Sequence, residues 1–139
     1  DSGAYRFVSL EGLDGWESLM GLQFENLIVN NFKSLLPKLN LAGALITSAG
    51  PYRKVGRKGE GCQIDLLLQA KRFVYLIEVK RLKEIGREVI DEVEQKRIRL
   101  GVPSEKTVRV ALVYDGKLAA SVESEGYFDS IVNAKTLFL

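Results

Sequence analysis

Three charged residues stand in runs that otherwise read as buried strands. Asp65 interrupts Ile64-Asp65-Leu66-Leu67-Leu68, and Glu78 and Lys80 interrupt Leu76-Ile77-Glu78-Val79-Lys80. An unpaired buried carboxylate is costly, so one persists in such a place when it is paired, hydrogen-bonded or holding a metal. Strand side chains at i and i+2 point the same way, which puts Glu78 and Lys80 on one face, and pairing of the two runs brings Asp65 beside Glu78. Two carboxylates and a nearby backbone carbonyl, such as that of Val79, offer oxygen ligands to a hard cation and leave room for water and phosphate. Mg2+ is the expected ion, with Mn2+ as its substitute. Such a cation would stabilise charge on a phosphoryl oxygen and acidify its water, while the Lys80 ammonium orients that water and neutralises developing charge. The chemistry such a site would perform is phosphodiester hydrolysis without histidine.

Glu25 adds to this set from another part of the chain. Gly21, Ile28, Val29 and Phe32 surround it at helical spacing, so it borders an apolar helix face. Gly21 is expected to let that helix approach its neighbours closely and carry Glu25 to the strand carboxylates, as a ligand or as an acceptor for water on the cation. Bland readings stay open beside these. Asp65 and Lys80 would also make a structural ion pair, and a Glu25 at a helix edge would also reach solvent along its stem.

Composition narrows the chemistry further. The chain has 139 residues, 46% of them hydrophobic, enough for one well-buried core and a single domain over residues 1–139. It contains no histidine, which removes Ser-His-Asp and Cys-His catalysis and the usual zinc-hydrolase ligation. Its one cysteine, Cys62, supports neither a disulfide framework nor a thiolate zinc site, and suits a reducing, cytoplasmic setting. No apolar run approaches the length of a membrane span, and no membrane partner is expected. A net charge of +2 is too small to decide for or against nucleic acid.

The elements that must position these residues follow from periodicity. Asp14 and Glu17 have capping-box spacing, and Trp16, Leu19, Met20, Phe24, Leu27, Ile28, Phe32, Leu35 and Leu36 recur at helical period, so a long helix is expected to end near Leu36, before Pro37. Leu45 to Ala49 reads as a short strand. Gly50 to Gly61, rich in glycine and carrying Arg53, Lys54, Arg57 and Lys58, reads as a mobile basic loop whose cations would contact phosphates; a merely solvated loop is the plainer alternative. Cys62 to Gln69 and Phe73 to Lys80 form a hairpin of central strands across Ala70, Lys71 and Arg72. Glu84 to Leu100 is expected to be a helix ending at Gly101, and Val108 to Tyr114 a strand parallel to the preceding one, closed by an Asp115-Gly116 turn. Phe128, Ile131 and Val132 suggest a closing helix, and Leu137 to Leu139 a last strand.

Taken in order, Gly21-Leu22-Gln23-Phe24-Glu25, Ile64-Asp65 and Glu78-Val79-Lys80 resemble the PD-(D/E)XK nuclease-like superfamily over most of the chain. More closely, the chain is similar to the nuclease-like domain at the C-terminus of certain bacterial and archaeal AAA-type ATPases, in which a Gly-x-x-Phe-Glu helix precedes the same strand pair. The resemblance implies an α/β, restriction-endonuclease-like core, a mixed central sheet flanked by helices. It implies that Asp65 and Glu78 bind the cation, that Lys80 assists the attacking water, that Glu25 completes the acidic site, and that Gln95 or Lys96 supplies an accessory helix residue. It also implies DNA as substrate and an ATPase domain in the same parent chain, an expectation with which the absence of an initiating methionine agrees. Ile64 replaces the eponymous proline, and Gln63 stands where many ATPase-linked relatives carry glutamate. No Walker-type Gly-x-x-x-x-Gly-Lys-Ser/Thr sequence occurs, so ATP hydrolysis is not expected of this segment. The competing function is a catalytically weak nucleic-acid-binding or regulatory module of the ATPase.

Overall fold

The computed structural model describes residues 13–137, with side chains from Met20 onward. The fold is mixed α/β, with a five-stranded mixed sheet flanked by helices. Helix α1 spans Leu13–Asn30. The contacts of Asp14, Trp16, Glu17 and Leu19, on which the expected capping box and the start of the apolar face rest, lie outside the described side chains. The helix stops short of the expected Leu36. Asn31 is the cause: its backbone N–H is shared between the Leu27 and Ile28 carbonyls, at 3.1 and 3.2 Å, and its side-chain amide donates to Leu27 at 2.8 Å. That bifurcation tightens the chain into two 3-10 turns, Phe32–Ser34 and Pro37–Leu39, the second beginning at Pro37, where a missing donor costs nothing. The apolar spacing still pays off in burial at Ile28, Leu35 and Leu39, whereas Leu27 points to solvent.

Strands β1 (Ser48–Lys54), β2 (Cys62–Gln69), β3 (Phe73–Ile85), β4 (Thr107–Leu118) and β5 (Ser130–Asn133) lie in the order β1-β2-β3-β4-β5. The first three are antiparallel neighbours, and β3, β4 and β5 run parallel. The β2–β3 hairpin forms as expected, its turn closed by the Ala70 N–H on the Phe73 carbonyl at 2.9 Å. Helix α2 (Glu88–Leu100) makes the expected crossover to parallel β4 and ends at Gly101, whose φ of 64° gives the left-handed cap.

Further expectations need correction. Glu84 and Ile85 belong to β3 rather than to the helix, because they pair with Lys117 and Leu118 of β4. The Asp115-Gly116 turn is absent, since β4 runs straight through it: Gly116, at φ 136°, passes so close to β3 that a Cβ there would lie 1.8 Å from the Leu82 carbonyl oxygen. The strand expected at Leu45 to Ala49 lies instead at β1, so Arg53 and Lys54 are strand residues and only 55–61 form a loop. Pro51 is tolerated because β1 is an edge strand. Ile131 and Val132 build β5 against Leu112 and Val113 rather than a closing helix; helix α3 (Ala120–Ser124) comes earlier and the chain turns at Gly126. Leu137 ends a 3-10 turn, and the rest of the expected last strand lies outside the described residues.

Each face of the sheet carries its own core. Leu66, Leu68, Tyr75, Ile77 and Val79 pack with Ile28, Leu35 and Leu39 on one side. Ile64, Leu67, Leu76 and Leu112 pack with Val89 and Val93 of α2 on the other. Strand β3 therefore feeds alternate residues to both cores, which is why its sequence is apolar on both faces.

Candidate active site

A bulge in β2 shapes the centre of the site. On β1, Gly50 faces Leu67 and Tyr52 faces Ile64, so Pro51 alone opposes both Asp65 and Leu66. The extra residue explains why Ile64 and Leu66, two apart, enter opposite cores. It also coincides with the end of the β2–β3 ladder, whose last pair is Leu66 with Ile77. One step further the same register sets Asp65 across from Glu78. There the Asp65 carboxylate takes the place of a ladder bond, accepting the Val79 N–H at 2.8 Å.

Glu78 is 1% exposed, the one charged side chain fully buried among the described residues. Lys96 of α2 donates to both of its carboxylate oxygens, at 2.8 and 3.1 Å. Two residues along, Lys80 meets Glu92 of α2 at 2.9 Å. Asp65 and Lys80 thus do not form the direct structural pair that the sequence left open: each has another partner. Burial pushes the Glu78 carboxyl up to about 7, and the facing Asp65 carboxylate pushes the same way, with Lys96 opposing them. For Lys80, burial pulls the ammonium down, but Glu92, Glu78 and Asp65 outweigh it and hold the group above its usual value. Lys80 is therefore a fixed cation at neutral pH.

These residues line one pocket of about 640 Å³, between the middle of α1, the β2–β3 edge and α2. Glu25, Gln63, Asp65, Glu78, Val79, Lys80, Gln95 and Lys96 all reach it. Glu25 is half-buried and makes no hydrogen bond or ion pair among the described residues. Gly21 lines the pocket too, but a Cβ there would meet nothing within 4 Å, so it leaves the wall open rather than drawing the helix close. Of the basic residues, Arg53 is exposed and stands across from Gln63, which lines the pocket, but Arg53 does not line it. Lys54 is occupied, donating to the Arg99 carbonyl at 2.9 Å at the C-terminal end of α2. Arg57 and Lys58 are exposed on the loop and do not line the pocket.

Comparison with known proteins returns nothing to set beside this geometry. No protein-family model matches the chain, and no curated protein or solved structure matches it. Among the described residues no helix is long and apolar enough to cross a membrane.

The donor set can be tested against a divalent ion on its own chemistry. Among the described residues no three His, Cys, Asp or Glu side chains converge into a ready-made metal cluster. Two carboxylates do converge, Asp65 and Glu78; burial raises the Glu78 pKa most, and the neighbouring Asp65 raises it further. Mg2+ is commonly held by one or two carboxylates with waters and substrate phosphates completing its shell, so this pair fits it. Sequence reasoning missed Arg81, Glu92 and Arg99, which also line the pocket. Glu92 carried a signal, its position four residues before Lys96 on the same helix.

Proposed function

We propose that this domain is a divalent-metal-dependent phosphodiesterase acting on DNA, with a restriction-endonuclease-like core of the PD-(D/E)XK kind. The observation that carries the reading is the pairing of a buried Glu78 with Asp65 at a strand bulge, inside a pocket that Lys80 and Glu25 also line. Asp65 and Glu78 would hold Mg2+ or Mn2+, which when bound supplies electrophilic stabilisation to the phosphoryl oxygens. Lys80, kept protonated by its acidic neighbours, orients the attacking water and neutralises charge growing on the phosphate. Glu25, which lines the pocket and has no partner among the described residues, would take that water's proton. Arg53, across from the pocket residue Gln63, with Arg57 and Lys58 on the following loop, would bind flanking phosphates. An ATPase in the parent chain and a cytoplasmic setting belong to the same proposal and rest on the resemblance alone.

A second reading, a nucleic-acid-binding or regulatory module without turnover, has one observation in its favour: Lys96 already occupies both oxygens of Glu78. Incubating the purified domain with plasmid and oligonucleotide DNA separates the two. The phosphodiesterase reading expects nicking that needs Mg2+ or Mn2+ and is abolished by Asp65→Ala and by Glu78→Ala. It expects Lys80→Ala to remain folded and cut on the order of 100-fold more slowly or worse. Cleavage surviving in both acid variants would overturn the site. Salt-dependent DNA binding without cleavage under any metal would favour the binding module.

A further inference from the structure

The pocket holds two ion pairs whose spacing is matched by construction. Strand residues Glu78 and Lys80 are two apart, an advance of about 6.6 Å, and helix residues Glu92 and Lys96 are four apart, about 6 Å along the helix axis. Because α2 returns antiparallel to β3 before the parallel β4, Glu78 meets Lys96 and Lys80 meets Glu92. The two pairs differ in exposure. Lys80 and Glu92 are 28% and 46% exposed, whereas Lys96 reaches from 25% exposure down to a carboxylate that is 1% exposed. Lys96 also contacts both oxygens of Glu78, the approach that a bound cation would use.

We propose that Lys96 is the resident cation of the acidic pair: its ammonium fills the position on Glu78 that a divalent ion takes, and it moves to Glu92 when the ion enters. The inference rests on the metal-dependent reading above. Physically, Lys96 keeps the buried Glu78 from standing unpaired while no metal is bound, which stabilises the fold at the expense of metal affinity. Glu92 already holds Lys80 through one carboxylate oxygen, and the other oxygen of this 46% exposed side chain is the receiver, since a Glu four residues before a Lys on a helix is the favourable arrangement for a pair. Lys96 on this account is a positioning residue and a competitor for the metal.

The test is Mn2+ binding measured by electron paramagnetic resonance of the free ion, on the intact domain without DNA. Lys96→Gln keeps a hydrogen-bond donor on Glu78 without the charge, and Lys80→Gln removes the same charge from the same pocket without vacating Glu78. Lys96→Gln is expected to bind Mn2+ about 10- to 100-fold more tightly than the parent, the worth of one charged hydrogen-bond contact. Lys80→Gln should tighten binding by no more than about threefold, as befits a partly screened charge. Melting curves supply the second readout: Lys96→Gln should melt earlier than the parent without metal and gain more from added Mn2+. Equal tightening in the two variants, or none in Lys96→Gln, overturns the inference while leaving the metal site standing. Absence of Mn2+ binding in the parent and both variants overturns the metal-dependent reading itself, and this inference with it.

Discussion

Raising the pH in the absence of metal should destabilise this protein through Glu78, by an amount the site itself sets. The carboxyl is pushed from an ordinary value of 4.5 up to about 7 by its burial and by Asp65. A group whose pKa is higher in the folded state binds its proton more tightly there, so its stabilising contribution is complete below about 4.5 and is lost as pH rises through about 7. Each pKa unit corresponds to about 1.4 kcal/mol, which makes the loss about 3 kcal/mol between those limits. For a domain of this size that is a fall of roughly 10 °C in melting temperature. The informative quantity is the difference between the parent and Glu78→Gln, an uncharged isostere, because whatever the two share cancels. Urea unfolding with a chelator present, run from pH 4 to pH 8, should show the Gln variant gaining on the parent by about 3 kcal/mol across the range. Saturating Mg2+ should restore the parent at neutral pH and leave the Gln variant little changed, because metal binding draws on the ionised carboxylate. Parallel pH profiles for parent and variant would refute the reasoning, since Glu78 would then have no raised pKa to lose.

Two further outcomes follow from other parts of the fold. Gly116→Ala combines a left-handed backbone with a Cβ aimed at the Leu82 carbonyl, and should lower unfolding free energy in urea by about 3 kcal/mol or more; a cost under about 1 kcal/mol would mean that β3 and β4 are not so closely apposed. Arg53→Ala should leave stability unchanged and reduce the salt slope of DNA binding by about one, as the loss of a single phosphate contact requires, whereas Lys54→Ala should lower the melting temperature because that ammonium holds the Arg99 carbonyl; an unchanged slope removes Arg53 from the interface.

The sequence made the middle of the fold readable and left its margins obscure, for physical reasons that differ from place to place. Strands β2 and β3, helix α2 and parallel β4 form the buried centre, where apolar periodicity is enforced on nearly every residue. Strand β1 is an edge, needs to satisfy only one neighbour, and so tolerates Gly50 and Pro51, residues that read as a loop. The outer halves of β3 and β4 are polar, and their pairing beyond Arg81 and Asp115 depends on a close approach at Gly116 that no periodicity encodes. Helix α1 ends at Asn30 through a local competition for carbonyls at Asn31, although the apolar spacing continues past it.

The candidate site divides along the same line. Asp65, Glu78 and Lys80 were visible because a charge inside an apolar strand contradicts its surroundings, and the pocket gathers them. The bulge that turns Asp65 toward Glu78 was not visible, because it depends on which residue of β1 faces it, and Pro51 declares nothing about β2 from sequence alone. The helix charges fall between these cases. Glu-x-Lys on a strand and Glu-x-x-x-Lys on the helix that follows it are each commonplace, yet a crossover helix runs antiparallel to the strand it leaves, and the two spacings are nearly equal in length. Those constraints admit the pairing Glu78 with Lys96 and Lys80 with Glu92, in which opposite charges meet, while the parallel alternative would set Glu78 against Glu92. The charge order therefore carries information about the packing of α2 on β3 that neither motif carries alone.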